Sequence, residues 1–105
     1  MRTVNRVTWS GQRHVVTVPG KPYAREIDVL RLCAYLQGRG WTDHPELIVP
    51  HEPGPHLFVH PAGGGQVYFA DGWDAPALAD VVCKIADIES RHPADVLDGI
   101  AASRV

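Results

Sequence analysis

Two runs near the start of the chain, Thr3-Val4-Asn5-Arg6-Val7-Thr8-Trp9 and Arg13-His14-Val15-Val16-Thr17-Val18, alternate apolar and polar residues around Ser10-Gly11-Gln12. A period of two is the signature of a half-buried strand. A short turn at Ser10–Gln12 pairs Trp9 with His14 and Val7 with Val16. Val7, Trp9, Val16 and Val18 then make an apolar face, and Arg6, Thr8 and Thr17 a polar one. Pro19-Gly20-Lys21-Pro22 ends the hairpin and turns the chain from strand to helix, since proline fits the first helical turn. Beyond it the period changes. Ile27, Leu30, Cys33 and Ala34, with Leu36 or Gln37, recur at helical spacing opposite Arg25, Asp28, Arg31 and Arg39. Gly38 and Gly40 stop this helix near Trp41.

The second half repeats the change of period. Glu46–His51 reads as a short strand and Glu52-Pro53-Gly54-Pro55 as a rigid turn. His56–His60 and Gln66–Ala70 flank the Gly63-Gly64-Gly65 turn and complete a three-stranded meander. Asp74 is a helix N-cap with Pro76 in the first turn. Leu78, Val81, Val82, Ile85 and Ile88 form the cleanest amphipathic stripe, opposite Asp80, Lys84 and Asp87. His92-Pro93 ends that helix. A last short helix carries Val96, Leu97 and Ile100 on one side and is weakened by Gly99. The order ββ-α-βββ-α-α predicts one α+β domain over residues 1–105, an antiparallel sheet with helices packed on one face. Residues 19–22 form its strand-to-helix turn and 93–105 its short C-terminal helix.

Composition narrows the functional classes. The 105 residues suit one core, and 45% hydrophobic with 21% charged residues is ordinary for a globular chain. No apolar run approaches the roughly 18 residues that cross a membrane, and Met1–Asn5 has no signal-peptide core. A cytoplasmic location with no membrane contact is the expectation. Cys33 and Cys83 fall within helices and lack a CxxC neighbour, which reads as two buried thiols in a reducing compartment rather than a zinc knuckle. The net charge of −2 lacks the basic excess that phosphate binding uses. Arginines do cluster toward the front: Arg6 and Arg13 on or beside the hairpin's polar face, Arg25 and Arg31 on the outer face of the first helix. These are the candidate binding cations, and the two sets are expected to diverge rather than form a phosphate track.

With Pro53-Gly54 at the tip, His51 opposes His56, and in the next hairpin His60 opposes Gln66 and Phe58 opposes Tyr68. One face then carries His51, His56, Phe58, His60 and Tyr68. The other carries Ile48, Leu57, Val59, Val67 and Phe69, apolar throughout and expected to meet the helices. His51 and His56 could approach one ion, but His60 lies about 13 Å from His56 by strand rise. No carboxylate at suitable spacing completes a shell, so neither a metal nor a cofactor is expected. The serines lack a GxSxG context, and the glycine turn lacks the Lys-Ser/Thr of a phosphate loop. Phe58 and Tyr68 could stack bases, or brace the hairpin as a cross-strand pair.

The α-βββ-α core order is that of the double-stranded-RNA-binding fold. The helix ending at Gly40-Trp41, the strand His56-Leu57-Phe58-Val59-His60-Pro61, the strand Gln66-Val67-Tyr68-Phe69 and the amphipathic closing helix resemble the HicA family of messenger-RNA interferase toxins. Phe58, His60 and Pro61 match the end of that family's strand motif. The family's catalytic histidine position falls on Pro55 here, with His56 one residue later and pointing to the opposite face. The resemblance implies an RNA-cleaving reading in which His56 and His60 are the catalytic residues. The leading expectation is a small non-catalytic binding or regulatory module acting through protein contacts, an inhibitor or toxin–antitoxin-like component. His51, Phe58, Tyr68 and the four arginines are its candidate contacts; RNA is the other candidate partner, and a homodimer is left open.

Overall fold

The computed structural model describes residues 13–18, 23–47 and 54–104. The elements are β1 (His14–Val18), β2 (Tyr23–Ile27), α1 (Val29–Gly38), β3 (Thr42–Asp43), a 3₁₀ turn (Pro45–Leu47), β4 (Pro55–Val59), β5 (Gln66–Ala70), α2 (Ala75–Glu89) and α3 (Pro93–Ala102). This is an α+β domain in the order ββ-α-βββ-α-α. Among the described residues its strands divide into two antiparallel sheets, β1–β2 and β3–β4–β5. Helix α2 joins them, packing against both β1 and β5, while α3 packs on β2, α1 and α2.

Among the described residues the expected strand Arg13–Val18 is present as β1, but it is followed by a further strand, Tyr23–Ile27, where the helix is expected, and the expected strand 3–9 lies outside the described residues. β1 pairs with β2, His14 opposite Ile27 and Val16 opposite Arg25. The sequence pattern predicts that Tyr23–Ile27 opens a helix. Ala24, Arg25 and Glu26 suit a helix by propensity, yet pairing with β1 buries Ile27 beside Val16 and prevails. The chain therefore passes from strand to strand across 19–22, which corrects the strand-to-helix turn expected there. Residues 19–22, the strand 3–9 with Arg6, and the turn at Ser10–Gln12 lie outside the described residues. Val16 and Val18 are buried and Thr17 exposed, as their alternation requires.

Helix α1 starts at Val29 because Asp28 caps it. Its carboxylate accepts the Arg31 backbone N–H at 2.7 Å and the Arg31 guanidinium at 2.6 Å, and it is buried. The later start rotates the inward face: Val29, Leu32, Tyr35 and Leu36 are buried, Cys33 is half-buried, and Leu30 is exposed. Gly40 takes a φ of +90°, which a side chain rarely adopts, and turns the chain so that Trp41 tucks into the core.

The last two helices follow the sequence closely. Asp74 accepts from the Ala77 N–H to cap α2, Ser90 ends it in the left-handed region, and His92 caps α3. Leu78, Val81, Val82, Ile85, Val96, Leu97 and Ile100 are buried. Gly99 is there for close approach: a Cβ on it would fall 2.5 Å from the Tyr35 ring. That contact sets Tyr35 against Glu89, whose carboxylate also receives Arg39 and Trp41.

The register of β4–β5 differs by one residue from the expected one. His56 opposes Phe69, Leu57 opposes Tyr68 and Phe58 opposes Val67. Phe58, Val67 and Phe69 are buried together, with the two phenyl rings stacked at 5.8 Å. Tyr68 lies on the other face, so Phe58 and Tyr68 do not share one. The cause is the glycine turn, in which the His60 N–H bonds Gly65 O, placing Gly65 inside the loop closure and Gln66 opposite Val59. The third strand also moves. Thr42–Asp43 pairs with Val59 and Phe58; of the expected strand Glu46–His51, Glu46 and Leu47 lie in the 3₁₀ turn and the rest lies outside the described residues.

Candidate functional site

The register shift turns His56 inward, to the end of the buried aromatic row. Its ring lies 5.1 Å from Phe69 and 6.3 Å from Phe58. β3 ends on Asp43, and the residue after β5 is Asp71. These two carboxylates close on the imidazole from opposite sides: Asp43 Oδ2 lies 2.9 Å from Nδ1 and Asp71 Oδ1 3.0 Å from Nε2. The three side chains are each between 21% and 23% exposed. A single imidazole presents two donors only in its protonated form, so this geometry needs two protons among the three groups.

Each carboxylate is itself positioned. Asp43 Oδ1 accepts the Leu57 N–H at 3.1 Å, so the short β3 is fastened to β4 by a side chain as well as by its backbone. The Asp71 N–H donates to Gly54 O at 3.2 Å. Gly54 has φ +62°, and a Cβ there would fall 1.8 Å from the Asp71 carboxylate, so only glycine leaves Asp71 room to reach His56.

From α1, Cys33 brings its sulfur within 3.9 Å of His56 Nδ1. A cysteine beside a histidine invites comparison with a nucleophilic pair. Here burial first, then the negative charge of Asp43 and Asp71, pushes the thiol up to about 12. The sulfur is held as the weakly nucleophilic thiol. Among the described residues, no group of three or more His, Cys, Asp or Glu side chains is arranged to hold a metal ion.

Other sequence-predicted residues lie elsewhere. His60 accepts the Ala62 N–H at Nδ1 and meets Trp41 edge-on at 5.0 Å. Phe58 is fully buried, and half-buried Tyr68 packs edge-on against Trp73. His51 and Arg6 lie outside the described residues. Arg13 and Arg31, expected to diverge, converge on one carboxylate, Asp28, at 3.8 and 2.6 Å. Arg13 also reaches Glu26, and Arg25 pairs with Asp98 on α3. Asp43 and Asp71, the two carboxylates that the sequence pattern does not bring to His56, are legible only through the register. With His56 opposite Phe69, Asp71 follows one residue past the end of the strand pair.

The clamp has a measurable consequence. His56→Ala removes the group between Asp43 and Asp71 and leaves both half-buried side chains without their shared partner. Urea unfolding is expected to show a loss of about 1–3 kcal/mol, the range for charge-assisted hydrogen bonds. His60→Ala, which removes a neutral hydrogen bond from the Ala62 N–H and an edge-on contact with Trp41 but leaves no carboxylate unpartnered, is expected to cost about 1 kcal/mol, less than His56→Ala. Equal losses would contradict the clamp.

Among the described residues no helix is long and apolar enough to cross a membrane. Compared with family models, curated proteins and solved structures, the chain matches no family model, no curated protein and no solved structure.

Proposed function

We propose that this chain is a small binding or regulatory module that acts through protein contacts rather than by turnover at His56. The observation that carries this reading is the double engagement of His56. A general base needs a lone pair within reach of the substrate, and a general acid a proton it can release there. Both nitrogens of His56 instead face the protein's own carboxylates. The arginines support the same reading: Arg13, Arg25, Arg31 and Arg39 each pair with a carboxylate of the chain, so their charge is partly spent at home.

A second reading, RNA cleavage of the HicA type, is favoured by one contact. A carboxylate on Nδ1, as Asp43 provides, is how an imidazole is oriented for acid–base work at Nε2. This reading requires Asp71 to give way to substrate. One pair of measurements separates the two. The purified chain is incubated with single-stranded and structured RNA beside the His56→Ala variant, and binding is followed across a salt series. The module reading expects cleavage no faster than the variant and an affinity nearly flat with salt. It also expects a stoichiometric complex with a purified protein partner, reconstituted without turnover. Cleavage lost in His56→Ala, with affinity falling steeply as salt rises, would replace it with the ribonuclease reading.

A further inference from the structure

Thr42 and His44 alternate with Asp43 along the strand direction, and so fall on the side of β3 away from His56. They join a second hydrogen-bonded chain. His44 Nδ1 lies 3.0 Å from Glu46 Oε2, and His44 Nε2 lies 2.9 Å from Thr42 Oγ1. A carboxylate only accepts, so Nδ1 donates to Glu46; in the neutral ring Nε2 is then the acceptor, and the Thr42 hydroxyl donates to it. A hydrogen bond from its own backbone, then one from His44, holds the Glu46 carboxyl below the ordinary range, so it is present as the carboxylate this arrangement needs.

The imidazole does not hang on a loose tail. The His44 N–H donates to Leu57 O at 2.8 Å, and its carbonyl accepts the Leu47 N–H at 3.0 Å. The backbone that carries the base is thus tied to β4 on one side and to the 3₁₀ turn on the other. Hydroxyl to Nε2, and Nδ1 to carboxylate, is the connectivity by which a histidine activates an alcohol.

We propose that Thr42 is an acyl-accepting hydroxyl for activated esters, with His44 as its general base and Glu46 as the residue that positions the imidazole. Thr42 Oγ attacks the ester carbonyl carbon and forms the new C–O bond while its proton passes to His44 Nε2. The tetrahedral intermediate collapses by breaking the bond to the leaving oxygen. That oxygen departs with the electron pair and takes the proton from His44. The products are an O-acylthreonine and a free alcohol or phenol, and nothing is oxidised or reduced. Thr42 is exposed and His44 is 39% exposed, so the site takes small or flexible acyl donors. This is a modification site on the chain, independent of whether His56 takes part in turnover.

The test uses the full chain and p-nitrophenyl acetate, with acetyl groups located by peptide mass mapping over time. Thr17, exposed on β1, is the comparison hydroxyl. General-base assistance is worth about 10²–10⁴-fold, so Thr42 is expected to be acetylated at least about 10-fold faster than Thr17. Thr42→Ser is expected to keep that advantage. His44→Gln is expected to bring Thr42 down to the Thr17 rate, and Thr42→Val to leave no acetyl at position 42. Glu46→Gln is expected to slow acetylation and Glu46→Asp to restore it. Thr17 labelling serves as the fold control and is expected to stay constant throughout. Acetylation of Thr42 no faster than Thr17, or undiminished in His44→Gln, would overturn the proposal.

Discussion

Glu89→Ala is expected to cost this protein about 3 kcal/mol, because it leaves two buried donors, Tyr35 and Trp41, without their acceptor at about 1–3 kcal/mol each. Its midpoint of thermal unfolding should fall by roughly 15 °C. The Glu89 carboxylate is only 4% exposed. Oε1 accepts the Tyr35 hydroxyl at 2.8 Å, and Oε2 accepts Arg39 Nε at 2.7 Å and Trp41 Nε1 at 3.1 Å. Arg91 reaches the same carboxylate at 3.5 Å and also bonds the Tyr35 hydroxyl. Alanine would leave the polar ends of Tyr35 and Trp41 in the core without their acceptor, and an orphaned buried donor costs more than the bond contributed.

The same carboxylate sets an acid limb. Burial alone would push the Glu89 carboxyl up, but the hydrogen bonds from Arg39, Trp41 and Tyr35 together hold it below the ordinary 4.5. A carboxyl whose folded value is depressed contributes stability that is present above its unfolded value. That stability is lost as pH falls through the folded value. The wild type should therefore lose stability below about pH 4.5 more steeply than Glu89→Gln, measured by urea midpoint against pH. Parallel curves would remove Glu89 as the cause.

The elements whose caps and stripes lie next to each other along the chain are legible from the residues alone. Asp74 before Ala75-Pro76 and the stripe from Leu78 to Ile85 identify α2 because cap and period agree. The front of the chain is harder for the complementary reason. Tyr23–Ile27 carries helix-favouring residues at its centre, and only pairing with β1, a contact made across the chain, decides that it is a strand. Asp28 fits a polar helical stripe as well as it fits a cap. Taken as a cap, it starts α1 at Val29 and rotates the inner face onto Leu32, Tyr35 and Leu36.

The site is half legible for a related reason. His56 stands out as a histidine in a strand flanked by a glycine turn, and it does sit at the centre of a polar cluster. Its partners stay hidden because a one-residue slip in the register moves every side chain to the other face. With the slip, His56 looks outward with no carboxylate near. Without it, His56 looks inward to Asp43 and Asp71. No local pattern marks Asp43, which comes from a strand of two residues that exists only because β4 pairs with it.

That register makes the second large expectation. Phe58→Ala is expected to destabilise the protein by about 3–5 kcal/mol, because Phe58 is fully buried and stacks at 5.8 Å against an equally buried Phe69. The loss combines the transfer free energy of the ring with the cavity it leaves between β4 and β5. Tyr68→Ala, one residue from Phe69 but on the other face and only half-buried, is expected to cost clearly less. Where the alanine variant is too unstable to measure, Phe58→Leu keeps most of the volume and is expected to cost about 1–1.5 kcal/mol. Both are read as urea midpoints at constant slope, so that a change in the denatured state is not counted as lost packing. The contrast is stronger than either value alone, since the two faces differ by a single residue of register. A larger loss for Tyr68→Ala than for Phe58→Ala would place Phe58 on the outer face. That outcome would turn His56 outward with it and take away the geometry that brings Asp43 and Asp71 to its ring.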